Sequence, residues 1–212
     1  MSAAAAARDA RPGAGLPAVQ RYRDPRLGRA VAKLLPGEFA VTSTGEVLVT
    51  ALGSCVAACV RDPVAGVAGM NHFMLPEDPE HGDGPSGPGL ATRYGNHAME
   101  RLLNELLKRG GRRERLEVKL TGGGRVLAGM TDVGQANIAF VRRYLRTEGL
   151  AVLAEDLGGT WPRKVYYDAV TGRLRVKYLR RLANDTIAER ERAYRGRLRQ
   201  EPAAGPIDLF DS

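Results

Sequence analysis

Glu46-Val47-Leu48-Val49-Thr50-Ala51-Leu52-Gly53-Ser54-Cys55-Val56-Ala57-Ala58-Cys59-Val60 reads as strand, tight connection, strand. Residues 46–50 are rich in β-branched and apolar side chains, and 55–60 form a short apolar run of the kind that lies inside a sheet. The step Leu52-Gly53-Ser54 turns the chain between them. Working outward, residues 38–42 predict a preceding strand, closed by the turn Ser43-Thr44-Gly45. Arg61-Asp62-Pro63 with Gly66 marks the next turn, and 67–75 the next strand, stopped by Pro76. Residues 76–92 hold eight Gly or Pro residues and read as a loop. Ala98, Leu102, Leu103 and Leu106 recur at helical spacing and predict an amphipathic helix over 96–108, ended by Gly110-Gly111. Leu116, Val118 and Leu120 alternate in a strand over 115–121, followed by Gly122-Gly123-Gly124. A second helix is expected over 137–145 and a strand over 150–154. Strands 164–169 and 174–178 flank the hairpin turn Val170-Thr171-Gly172-Arg173. Residues 185–199 predict a polar peripheral helix with sparse apolar residues: Ile187, Tyr194 and Leu198. The class is α+β, with helices packed on a mostly antiparallel or mixed sheet system.

Composition bounds the reading. A chain of 212 residues with 43% hydrophobic and 26% charged residues can bury a core without staples. No apolar stretch approaches the ~18 residues of a membrane span. Ala3 to Ala7 is too short and too weakly apolar for a secretory leader. Cys55 and Cys59 on one strand face would be ~13 Å apart, beyond disulfide reach, so a reduced, cytoplasmic protein is expected. The net charge of +8 is concentrated in residues 1–36, which carry +5. These residues show no sustained periodicity and read as a mobile basic extension that the chemistry does not need. A nucleic-acid binder requires a basic patch on the folded part, and the near-neutral middle with 6% aromatics argues against one. The domain proper is expected over 37–180, with 181–212 as peripheral helix and tail.

Cys55 follows a glycine at a strand end, where N–H groups left free by the turn can face a developing oxyanion. A buried structural cysteine is the commoner fate of a free thiol, and residue types alone leave both readings open. Cys59, inside the apolar run, reads as structural. His72 shares a strand face with Met70 and Met74; it is either a satisfied structural histidine or a base. His81 and His97 read as surface residues. Thr50 is either a β-branched strand residue or the group that orients an imidazole. Two cysteines and three histidines at these spacings match no zinc pattern. The glycine clusters 122–124 and 158–159 fit neither phosphate-loop pattern and read as close backbone packing or loop flexibility beside a site.

The run Leu52-Gly53-Ser54-Cys55-Val56-Ala57, then Gly69-Met70-Asn71-His72-Phe73-Met74-Leu75-Pro76, resembles the signature of the CheD chemoreceptor glutamine deamidases, including the 17-residue step from cysteine to histidine. Arg93-Tyr94-Gly95 with Ala98-Met99, Lys119 to Gly123, Gly134 with Asn137 and Phe140, and Ala154-Glu155-Asp156-Leu157-Gly158-Gly159 follow the same pattern in order. The resemblance covers residues 38–178. It departs at Gly124, where alanine is common, and at Gln135-Ala136, where charged residues are common, which bears on partner contacts there.

The resemblance implies a β-sandwich-like mixed-sheet core flanked by helices. It implies a cytoplasmic enzyme that hydrolyses glutamine side-chain amides on methyl-accepting chemotaxis receptors. Cys55 would be nucleophile, His72 base and Thr50 orienter, with Gly53 and Ser54 supporting the oxyanion and Asn71 neighbouring the substrate. No cofactor or metal is implied, and no nucleic acid or membrane insertion. Methylesterase side activity is chemically compatible. The alternative is a non-catalytic module that binds a CheC-type phosphatase or receptors; an intact Thr50, Cys55 and His72 set favours the enzyme.

Overall fold

The structure, a computed structural model, describes residues 19–76, 89–126, 133–180 and 185–200. One five-stranded sheet runs in the order β1 (Gln20–Asp24), β2 (Arg29–Lys33), β4 (Val47–Leu52), β9 (Arg163–Asp168), β10 (Leu174–Tyr178). The other runs β3 (Phe39–Thr42), β6 (Val67–Asn71), β5 (Val56–Asp62), β7 (Glu117–Gly122), β8 (Val152–Leu157). The β2/β4 and β7/β8 pairs are parallel and the other pairs antiparallel, so the sheets are mixed. Three helices complete the described fold: α1 (Leu90–Lys108), α2 (Val133–Thr147) and α3 (Asp185–Gln200).

Strand alternation sorts the layers. Val56, Ala58 and Val60 of β5 join Leu102, Leu106, Phe140 and Val141 in the core under α1 and α2. Ala57 and Cys59, pointing the other way, join Met70, Leu48, Leu52, Val165 and Tyr167 in the core between the two sheets. Each fully buried Leu or Val contributes ~1.5–3 kcal/mol against exposure, so both faces of the second sheet are strongly specified. Gly69 in β6 permits the close approach of α1: a Cβ there would lie 2.7 Å from Leu102 Cδ1 and 2.8 Å from Val41 Cγ2.

The architecture departs from the sequence reading in three places. Residues 20–33, read as part of a mobile extension, form β1 and β2. The apolar pair Val31 and Ala32 is buried, but β1 is an exposed, polar edge strand with no alternating signal. Just after it, the carbonyl of Leu34 accepts the Thr50 hydroxyl at 2.9 Å, so the folded part reaches back before residue 37. Residues 1–18 and His81 lie outside the described residues. Helix α1 starts at Leu90, six residues earlier than predicted, because Gly95 fits inside the helix where it packs on Phe140 and Leu75. His97 is exposed on it, as read. Third, α3 is not peripheral: Glu191, Tyr194 and Leu198 are buried.

Asp62 ties the end of β5 to its surroundings. Its Oδ1 accepts the N–H groups of Val64 and Ala65 at 2.9 and 3.0 Å. Its Oδ2 accepts the Arg112 N–H at 2.9 Å and the Arg115 guanidinium at 2.8 Å. Burial alone would raise the carboxyl pKa, but these donors outweigh it and hold it down at about 2. The folded state therefore favours the carboxylate. The stabilisation is fully present above the ordinary value of 3.8 and is lost as pH falls through about 2. Asp62→Asn is expected to lower the unfolding free energy at pH 7 by ~1–3 kcal/mol. The gap from the parent should narrow between pH 4 and 2, measured by urea denaturation across that range. Equal midpoints at pH 7 would contradict this account.

Candidate functional site

The site is built on the turn Gly53-Ser54-Cys55 between β4 and β5. All three carbonyls of the turn are tied down on one side. Gly124 N–H donates to the Gly53 carbonyl at 2.7 Å and Gly123 N–H to the Cys55 carbonyl at 2.7 Å. Asn137 Nδ2 of α2 donates to the Ser54 carbonyl at 2.9 Å, while its Oδ1 accepts the Leu75 N–H at 2.8 Å. Gly122, with φ +119°, has no room for a side chain: a Cβ would lie 2.2 Å from the Cys55 carbonyl oxygen. The second glycine pair joins the same platform. Gly158 N–H donates to the Gly122 carbonyl, Arg125 N–H to the Gly159 carbonyl, and buried Arg163 to the Gly158 carbonyl. Both glycine clusters thus pack backbone beside the site, one of the two roles read from sequence.

With the carbonyls held, the N–H groups of residues 53–55 converge on the opposite side. There they meet the carboxylate of Glu191 from α3. Oε1 accepts the Gly53 N–H at 2.7 Å and the Cys55 N–H at 3.2 Å. Oε2 accepts the Ser54 N–H at 2.8 Å and the Ser54 hydroxyl at 2.7 Å. Glu191 is 1% exposed.

Thr50 and His72 complete the cluster. Thr50 lies on β4 between Leu48 and Leu52, facing the second sheet. His72 follows β6 directly; its backbone N–H donates to the Glu38 carbonyl and its carbonyl accepts the Gly37 N–H. The two side chains meet at 2.7 Å, Oγ1 to Nδ1. Thr50 has a single hydroxyl proton, and it goes to the Leu34 carbonyl, which can only accept. Thr50 Oγ1 must then accept from His72 Nδ1–H. This assigns the Nδ1–H tautomer and leaves the Nε2 lone pair free; Nε2 is buried and has no hydrogen-bond partner among the described residues. Cys55 Sγ, a His72 ring nitrogen and a Glu191 oxygen all lie within 4.8 Å of one another.

The electrostatics follow from burial. The Cys55 thiol is pushed well up, first by desolvation, then by the negative charge and hydrogen bond of Glu191, against the lowering effect of its own backbone N–H. His72 is pushed down to about 4 by desolvation, which outweighs the opposing pull of Glu191 and the Leu34 carbonyl. At neutral pH the resting thiol and imidazole are both neutral. Cysteine, histidine and glutamate are zinc-ligand types, but three N–H dipoles and a hydroxyl present positive ends to the same point, which favours an anion there over a cation.

The structure brings Thr50, Gly53, Ser54, Cys55 and His72 together. Cys59 sits apart in the inter-sheet core, its thiol raised by burial. Asn71 is a correction: its Oδ1 accepts the Ala58 N–H at 2.9 Å and its Nδ2 reaches the Ala98 carbonyl at 3.2 Å. It points at α1, on the face opposite His72, because adjacent strand residues alternate. Glu191 was missed. It interrupts the buried stripe Ala188, Tyr194, Leu198, and a charge at a core-facing helical position was the available signal.

The family model described as CheD chemotactic sensory transduction matches residues 74–178, beginning just after His72. A Halorhodospira halophila protein named probable chemoreceptor glutamine deamidase CheD is 55% identical over 195 residues, 91% of this chain and 90% of its own. Proteins of the same name from Hahella chejuensis (46% identical, 91% and 90% covered) and Saccharophagus degradans (50%, 92% and 92%) are similarly related. The likeness therefore extends beyond residues 38–178 into both tails. Among solved structures, the Bacillus licheniformis hypothetical protein YfiH overlaps 56% of this chain and 49% of its own, at 12% identity and a TM-score of 0.36, a partial likeness. At about half identity over nine-tenths of its length, this chain belongs to the CheD family.

Proposed function

We propose that this protein is a cytoplasmic enzyme that hydrolyses glutamine side-chain amides on chemoreceptors to glutamate and ammonia, by a Cys55–His72–Thr50 thiol mechanism. The observation that carries the reading is the Thr50–His72 hydrogen bond, which leaves a bare Nε2 in the same buried cluster as a thiol and three convergent N–H groups. The names of the relatives supply the substrate.

His72 Nε2 takes the Cys55 proton as sulfur attacks the amide carbon. The carbonyl oxygen becomes an oxyanion that the N–H groups of Gly53, Ser54 and Cys55 stabilise; one such donor is worth ~2.7–4 kcal/mol in an acyl-transfer site. The protonated imidazole, held by Thr50, hands its proton to the departing ammonia. Water, deprotonated by the same Nε2, then attacks the thioester, and the thiol is restored. Every step runs on protein side chains, backbone and water.

The test is incubation with receptor cytoplasmic fragments, read by peptide mass as amide converted to acid. Cys55→Ala is expected to abolish conversion while Cys59→Ala keeps most of it; equal activity in both would remove the nucleophile assignment. His72→Ala is expected to lose ~10²–10⁴-fold in rate. Thr50→Ala should lose less, with Thr50→Ser restoring most of the loss, since only the hydroxyl is needed to hold the tautomer. Wild-type rates for His72→Ala would sink the mechanism. Because burial holds the resting imidazole down at about 4, the acid limb of kcat/KM should lie below the ordinary imidazole value near 6.5. Below that limb Nε2 is protonated and cannot take the thiol proton. A limb at or above 6.5 would show that the free enzyme does not hold His72 in the buried, neutral state.

A further inference from the structure

The carboxylate that fills the anion point belongs to the chain itself. Glutamate is what deamidation leaves behind, and its side chain differs from glutamine only by oxygen in place of the amide nitrogen. In the resting structure a glutamate borne on a helix puts one oxygen on the Gly53 and Cys55 N–H groups, where the proposed mechanism needs the oxyanion. The other accepts the Ser54 N–H and hydroxyl, so the carboxylate occupies all three N–H groups that the proposed mechanism assigns to the oxyanion. The carboxylate is within 4.8 Å of both the thiol sulfur and the imidazole. We infer that α3 is a built-in product analogue: it closes the active site in cis with Glu191, and a substrate helix must displace it.

The inference rests on the deamidase reading for the identity of the product. The occlusion itself rests on geometry alone. Helix α3 is predominantly polar; Glu189, Arg190, Arg192 and Arg197 face solvent. Beyond Glu191, its attachments include Tyr194 and Leu198 in the inter-sheet core and the contact between the Tyr194 and Tyr94 hydroxyls. A buried carboxylate is costly unless it is hydrogen-bonded, so Glu191 depends on the turn for its donors. Four donors hold it, and three of them are the N–H groups that a reacting carbonyl would need. Beside it a small cleft remains, lined by Lys33, Leu34, Ala51, His72, Ile187 and Glu191, so the closed site still borders His72 along one edge of α3. A structural role, with Glu191 as a strut that shapes the turn, is the competing account. The turn's carbonyls are already fixed by Gly123, Gly124 and Asn137, so Glu191 is not the sole anchor of the turn.

The experiment uses the full-length chain in a Cys59→Ala background, where Cys55 is the only thiol. In the first arm, Glu191→Gln places the substrate side chain where the product sits. Sulfur attacks the amide carbon of the substituted side chain, the C–N bond breaks with loss of ammonia, and water supplies the oxygen of the new acid. Peptide mass is expected to show position 191 returned to glutamate, and to show it unchanged when Cys55→Ala is added. In the second arm, iodoacetamide probes thiol access. If α3 is closed nine-tenths of the time, Glu191→Ala should speed alkylation of Cys55 and turnover of receptor fragments by ~10-fold. Slower or unchanged alkylation in a Glu191→Ala chain that folds, by circular dichroism, would overturn the occlusion and make Glu191 a strut. If that variant does not fold, the near-isosteric Glu191→Gln chain decides: an amide that persists at position 191 in a chain that deamidates receptors overturns the product analogue. Accelerated alkylation with no deamidation of receptors or of position 191 in any variant would retain the occlusion and reject the deamidase reading.

Discussion

Everything at this site depends on how the backbone of three residues is oriented. Peptide groups at a strand end would ordinarily scatter their N–H and carbonyl directions. Here the carbonyls of Gly53, Ser54 and Cys55 are bound on one side by Gly124, Asn137 and Gly123. The N–H groups therefore have one direction left, and they share it. The requirement reaches far along the chain: Gly122 must lack a side chain, Asn137 must sit on the inner face of α2, and the 158–159 loop must lean on Gly122. An anion point made of backbone dipoles needs no reorganisation when charge develops on it, which is the property that lowers a barrier in acyl transfer.

The second constraint is dryness. Cys55 and His72 lie in the layer between two sheets, and desolvation is the largest influence on both. It disfavours the thiolate and the imidazolium alike, so the pair rests as neutral thiol and neutral base. A neutral imidazole serves as a base only in one tautomer, and Thr50 selects it because Leu34 accepts its single proton. The chain of acceptors runs back into the segment after β2, which explains why a stretch of basic, low-periodicity sequence is part of the folded core. An orienting group is effective only if it is itself oriented, and Leu34 performs that step for Thr50.

Much of this was legible in the sequence. The turn at Gly53-Ser54, the apolar strand after it and the alternation through Met70, His72 and Met74 follow from residue types. They put Thr50, Cys55 and His72 at the ends or on one face of adjacent strands; the fold brings the three together, but across two sheets and with Thr50 inside β4. What escaped has identifiable causes. β1 is an edge strand with exposed polar side chains, so it carries no periodic signal, and β2 is recognised only through its parallel pairing with β4. Asn71 enters only through the resemblance, and strand alternation turns its side chain to α1, where it bonds the Ala58 N–H and the Ala98 carbonyl. The 185–199 helix reads as peripheral because its apolar residues, Ile187, Tyr194 and Leu198, are sparse, and Glu191 stands where another would complete the stripe. A charge at a core position counts against burial in any pattern built on hydrophobicity, and only the geometry shows four donors waiting for it.

Closure by a carboxylate, rather than by an apolar plug, has a further chemical consequence. The negative charge of Glu191 acts in the same direction as burial on Cys55, holding the sulfur as a thiol. On His72 it acts in the opposite direction, favouring imidazolium. An amide arriving in place of Glu191 brings no charge. In the proposed mechanism the repulsion that opposes thiolate formation would then depart with α3, while the N–H groups would remain to stabilise the negative charge as it moves from sulfur to the carbonyl oxygen. Under the proposed closure, nucleophile strength and site vacancy are coupled through one side chain: the thiol would be least reactive with the chain's own helix seated, and its activation would be delivered by the binding event that presents a carbonyl to attack.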